Sequence, residues 1–151
     1  VALTIFVAEA QIPPVVPVPG VKLGLANIVT LVTMALLGRR EAGAVLVVRL
    51  ILGSTFAGGF SGLMFSAAGG AAAYIVMCLL IKVFPEKLMW VVSVLAALAH
   101  NAGQLAVAVW VSGSASMLYY GTVLAAAGVI TGVFTGFGAM YLTRAAKKLV
   151  K

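Results

Sequence analysis

RLILGSTFAGGFSGLMFSAAGG, Arg49–Gly70, decides how this chain is read. It sets one arginine inside an apolar run, turns at Gly58-Gly59, and continues with a small residue at every fourth position: Gly58, Gly62, Ser66 and Gly70. Small residues at that spacing share a helix face. In lipid they let backbones approach closely, where packing rather than the hydrophobic effect holds helices together. A charge at membrane depth is costly, so Arg49 is expected to face a bundle interior or a wet cavity. A polar anchor beside a tightly packed helix pair is how a membrane protein builds a binding site.

The composition agrees with this reading. Of 151 residues, 64% are hydrophobic and 9% charged, with a mean hydropathy of +1.21; soluble domains carry about 25% charged residues. An all-α integral membrane protein follows, one transmembrane domain over residues 1–151, with six spans of roughly 20 residues joined by short turns. Outward from Arg49–Gly70, the helices are expected at about 1–12, 23–37, 42–56, 62–83, 88–111 and 117–143. The first ends at Pro13-Pro14, and PPVVPVPG is an extended loop, because proline fixes φ and excludes helix. Gly38-Arg39-Arg40-Glu41 reads as a tight charged turn, Phe84–Lys87 as a turn around Pro85, and SGSAS as a short polar turn. Val1 is not an initiator methionine and the first apolar run is short for a span. The numbering is therefore expected to start inside the first helix, and no signal-peptide pattern is visible.

Charge gives the orientation. Arg39, Arg40, Lys82, Lys87, Arg144, Lys147, Lys148 and Lys151 fall in alternate turns and the tail, all on one side. Lys22 alone lies opposite, and Arg49 is within a span. By the positive-inside rule, both termini are cytoplasmic and the protein is a multi-pass component of the cell membrane. The same dispersal over alternate loops argues against nucleic acid as a partner, despite the net charge of +7.

Depth can be estimated at about 1.5 Å per residue. Arg49 then lies roughly 10 Å into its helix, near mid-membrane, and His100, Asn101 and Gln104 lie about 18–24 Å along theirs, in the outer half. Lys22 and Asn27 sit near the outer end of their helix, and Glu9 near that of the first. A pocket opening outward is expected, lined by Arg49, His100, Gln104, Asn101, Lys22 and Asn27. His100 and Gln104 are four apart and share a face with Ala96 and Ala108, while Asn101 is turned about 100° away, toward a neighbouring helix. Each residue also has a structural role available: helix glue for the amides and His100, pairing with Glu9 or helix-end carbonyls for Arg49, snorkelling for Lys22. As a site, the set is cationic and suits a phosphate or carboxylate on an apolar body, which the planar fork of arginine matches. A second ladder, Gly128, Gly132 and Gly136, is expected to pack helices.

Several chemistries are excluded. The chain has no Asp and only Glu9, Glu41 and Glu86 as acids, so a Ser/His/Asp triad and the aspartate clusters that hold Mg-diphosphate are both absent. There is no G-x-x-x-x-G-K-[ST] loop for ATP. One His and one Cys make no zinc site, so neither metal nor cofactor is expected. Cys78 reads as a small buried apolar residue within its helix, and Trp90, Trp110, Tyr119 and Tyr120 as interfacial anchors.

VPGVKLGLANIVTL (Val18–Leu31), RLILGSTFAGGFSGLMFSAAGG (Arg49–Gly70) and AHNAGQLAVA (Ala99–Ala108), in that order, resemble the Gx transporter family, whose members are commonly labelled heptaprenyl diphosphate synthase component I. That family is in turn similar to the substrate-binding S-components of energy-coupling-factor (ECF) transporters, six-helix proteins with both ends cytoplasmic and a ligand pocket near the outer face. The resemblance implies uptake of a vitamin-like or cofactor-precursor molecule, with a coupling subunit and ATPases supplied in trans. The label adds a hint of isoprenoid or quinone metabolism without catalytic residues to support an enzyme. S-components often carry Ala-xxx-Ala on the first helix to dock the coupling subunit; here Phe6 stands midway between Ala2 and Ala10. A non-catalytic membrane subunit that recruits a polyprenyl diphosphate synthase or belongs to a redox complex is the other reading left open.

Overall fold

In a computed structural model that describes residues 26–57 and 59–149, the chain folds into five α-helices: α1 Asn27–Leu36, α2 Arg39–Ala57, α3 Gly59–Leu80, α4 Met89–Ser112 and α5 Gly121–Leu149. Short 3₁₀ turns, Glu86–Leu88 and Ala115–Tyr120, precede α4 and α5. No strand occurs among the described residues. The first expected helix, the Pro-rich loop, Glu9, Lys22, Gly58 and the Ala2/Phe6/Ala10 pattern lie outside the described residues.

The helix ends differ from expectation where charges stand. Leu37-Gly38 turns the chain, with Gly38 at φ +117, which an L side chain rarely adopts. Arg39, Arg40 and Glu41 are not a turn but the opening of α2. Arginine and glutamate are good helix formers, and Glu41 in the first turn complements the positive helix end. Gly59 likewise belongs to α3, and that helix stops at Leu80 rather than 83, ahead of Pro85. Turns carry the chain on to Phe84, whose N–H meets Leu80 O at 3.0 Å, and Pro85 prevents any return to helix there because the residue before a proline is pushed out of the helical region. The basic tail is not a tail either: α5 runs through it to Leu149, with Lys147 and Lys148 in the last turn, where cations meet the negative helix end. Gly113, at φ +62, caps α4 and gives its N–H to Val109 O at 3.0 Å.

Three stretches are long and apolar enough to cross a membrane: Phe60–Leu80, Glu86–Ser112 and Ala115–Lys148. The six spans expected from hydropathy are therefore three among the described residues. α1 is apolar but 10 residues long, and α2 carries Arg39, Arg40, Glu41 and Arg49 within its 19. The surface is that of a membrane protein: Ile130, Phe134, Ile75 and Leu79 are more than half exposed, where a soluble bundle would place polar residues.

Every helix contributes to one core of Leu31, Met34, Ala42, Ala73, Met77, Met89, Val92, Ala96 and Ala139. The closest pairing is α4 on α5. A Cβ added at Gly132 would lie 2.6 Å from Val94 Cα, one at Gly136 2.5 Å from Trp90 Cα, and one at Gly128 2.8 Å from Asn101 Nδ2. The Ser93 and Thr135 hydroxyls meet across the same seam at 2.9 Å. α3 packs on α4 at Gly103, where a Cβ would stand 2.7 Å from Ala68 O.

The basic side chains gather at one end of the bundle. Tyr74 Oη donates to Arg39 O at 2.9 Å, joining the start of α2 to the late turns of α3. Glu86 pairs with Lys147 and Arg144, joining the start of α4 to the end of α5. These pairs are one-third to one-half exposed. Glu86→Gln is accordingly expected to change thermal stability by less than about 1 kcal/mol, and less still in salt. A larger loss, measured by melting in detergent, would mean that Glu86 does more than hold two surface cations.

Candidate binding site

α1, α2 and α4 each bring one polar side chain to the same buried point. Arg49 Nη2 on α2 donates to Asn27 Oδ1 on α1 at 3.3 Å, and Asn27 Nδ2 meets His100 Nδ1 on α4 at 3.2 Å. Asn27, Arg49 and His100 are 7%, 4% and 4% exposed. The first bond fixes the amide: its oxygen faces the guanidinium, so its nitrogen faces the ring. An amide nitrogen can only donate, so Nδ1 accepts and the ring proton belongs on Nε2. The three form a directed relay, Arg49 to Asn27 to His100, across three helices.

Two adjacent glycines of α3 make room for it. A Cβ at Gly69 would stand 2.8 Å from His100 Cε1, 2.9 Å from its Nδ1 and 3.0 Å from Gln104 Cγ. A Cβ at Gly70 would stand 3.5 Å from Arg49 Nη2 and 3.0 Å from Leu46 Cδ1. Successive helix positions are about 100° apart, so Gly69 admits the α4 side chains and Gly70 the α2 side chains. Gln104 is fully buried beside His100. Asn101 is not part of this group: its Nδ2 donates to Leu124 O on α5 at 2.6 Å.

The ladder residues divide in the same way. Gly70 meets α2, Ser66 is buried one turn before it, and Gly62 is buried two turns before it. Gly128, Gly132 and Gly136 lie on the α4–α5 seam. Gly69 and Gly103 stand outside both four-residue ladders, so that spacing does not single them out. The Gly69-Gly70 doublet is the signal that does, since neighbouring glycines clear two faces rather than one. Arg49 lies ten residues into α2, about 15 Å, deeper than a helix start at 42 allows.

The arrangement offers a guanidinium fork, a carboxamide and an imidazole in one buried place. It is suited to hold an anion and its hydrogen-bonding neighbours. No group of three or more His, Cys, Asp or Glu that could hold a metal occurs among the described residues. A family model described as heptaprenyl diphosphate synthase component I matches residues 1–142. Neither the curated proteins nor the solved structures contain a match to the chain.

Proposed function

The chain belongs to the heptaprenyl diphosphate synthase component I family, and on that premise we propose that it is the membrane-embedded binding subunit of an uptake system. The ligand is a small cofactor-precursor or vitamin-like molecule with an anionic head, in the isoprenoid or quinone area. The single observation that carries this reading is the buried relay Arg49–Asn27–His100. A cation held at depth by an amide from a second helix, which an imidazole from a third braces in turn, is an expensive arrangement for mere packing. Arg49 takes the anionic head, and His100, Asn27 and Gln104 complete its hydrogen bonds. The protein then acts without catalysis as one transmembrane domain of six spans in an S-component-like bundle. α1 and α2 belong to the further spans. The basic end faces the cytoplasm, with both termini there, and a coupling subunit with ATPases joins in trans.

Native mass spectrometry of the protein gently extracted from its own membrane tests this. A retained small-molecule mass is expected in the wild type and is lost in Arg49→Ala. A bare wild-type protein, or a mass indifferent to Arg49, defeats the reading. One observation favours a second function. The family's description names one component of a synthase, and the basic end around Arg39, Arg40, Arg144 and Lys147 could recruit a soluble polyprenyl diphosphate synthase to the bilayer. Such a synthase travelling with the bare protein would select that function instead.

A further inference from the structure

Gly62, Ser66 and Gly70 repeat at four-residue spacing and so share one face of α3. At the Gly70 end this face is filled by Leu46 and Arg49. One turn toward the start of α3, about 5.4 Å away, stands Ser66. It is 5% exposed, and its Oγ has no hydrogen-bond partner among the described residues. A helical serine with nothing else to bond usually turns back to the carbonyl one turn earlier; this one does not. A further turn on, Gly62 is buried, yet a Cβ added there meets no described atom within 4 Å. The neighbouring faces are closed: Phe65 packs with Ala108 and Leu124, and Gly69 lies against His100 and Gln104. The small-residue face therefore carries a buried hydroxyl that no described residue bonds, between a cation and a position clear of described atoms.

We propose that this face is the wall of the ligand slot, with Arg49 at its closed end, the Ser66 hydroxyl one turn along, and Gly62 at its mouth. The inference rests on the binding reading above and gives the ligand a shape. Its anionic end meets Arg49. An oxygen or nitrogen about one helical turn, roughly 5 Å, from that end bonds Ser66 Oγ. A narrow or flat stem passes Gly62, where a side chain would obstruct it.

The test needs no knowledge of the ligand. In a chain whose one cysteine is removed by Cys78→Ala, single thiols are placed by Ser66→Cys and, on the lipid-facing side of α3, by Ile75→Cys. Membranes are treated with a negatively charged sulfonate thiosulfonate reagent or its positively charged trimethylammonium counterpart. Ser66→Cys is expected to react far faster than Ile75→Cys. The anionic reagent should lead by about ten-fold, the low end of focusing by a charged cleft, and Arg49→Gln should remove that lead. Adding Gly62→Leu, whose Cβ meets no described atom within 4 Å, should block the labelling. A Ser66→Cys thiol no more reactive than Ile75→Cys, a lead for the cationic reagent, or labelling indifferent to Gly62→Leu overturns the slot. Absent labelling with a ligand still lost in Arg49→Ala removes the slot and leaves the binding function. Labelling in a protein that retains no molecule supports the slot and removes that function.

Discussion

Gly136→Val is expected to leave almost no folded, monodisperse protein after detergent extraction. A Cβ at this position lies 2.5 Å from Trp90 Cα and 2.9 Å from Ser93 Cβ. Trp90 Cα is backbone within α4, so it cannot turn aside as the end of a flexible side chain could. The helices must separate instead, and separation also strains the Ser93–Thr135 hydroxyl contact one position away and the Trp90–Phe137 ring stack at 6.2 Å. Overpacking of this kind costs about 3 kcal/mol or more, a large share of the stability of any single domain. Gly62→Ala is the control: with no described atom within 4 Å of the new Cβ, its stability should match the wild type or exceed it by up to about 1 kcal/mol from helix propensity. Size-exclusion profiles of both variants decide the matter. A well-behaved Gly136→Val protein would mean that α4 and α5 do not touch there.

Asn27→Leu carries the second large effect, because one amide serves two partners. Arg49 loses the acceptor for Nη2 and His100 loses the donor to Nδ1. Interhelical bonds in membranes each contribute on average about 0.6 kcal/mol and at most about 1.7. The loss of both therefore predicts a destabilisation of about 1–3 kcal/mol, together with loss of the retained ligand. The informative measurement is a double-mutant cycle with His100→Leu. If the relay exists, the two substitutions together cost clearly less than the sum of each alone; costs that add to within about 0.5 kcal/mol would show that Asn27 and His100 do not interact.

Much of this site is legible in the residues themselves. Arg49, Asn27 and His100 stand out because polar groups in apolar helices are costly and need partners. That Asn27 bridges the other two is not legible, because it depends on α1, α2 and α4 meeting at one depth, a tertiary fact with no local signature. Helix ends are hardest to place where hydropathy and helix propensity disagree. Arg39–Glu41 interrupts the apolar pattern, so it resembles a turn, yet nothing in those residues opposes helix and the turn is confined to Leu37-Gly38. Apolar content alone leads to an expectation of six spans, where three stretches among the described residues are long and apolar enough. The three stretches that meet the length and hydropathy of a crossing, all after Gly59, are the ones without an internal charge cluster. The short α1 and the charge-bearing α2 are also the two that supply Asn27 and Arg49 to the site.

The glycine seam determines where this protein can deform. Backbones in contact at Gly132 and Gly136 cannot slide past one another by changing rotamers, so α4 and α5 move together, with α3 held to α4 at Gly103. α1 and α2 touch that unit through side-chain ends instead: Leu46 and Arg49 against Gly70, Ile28 against Gly138, Asn27 against His100. Leu31, Met34 and Ala42 add apolar side chains to the shared core, so α1 and α2 are held by side-chain packing and not by backbone contact. The molecule thus consists of a glycine-packed frame and a hairpin joined to it by side chains, and the relay is the buried polar part of that joint.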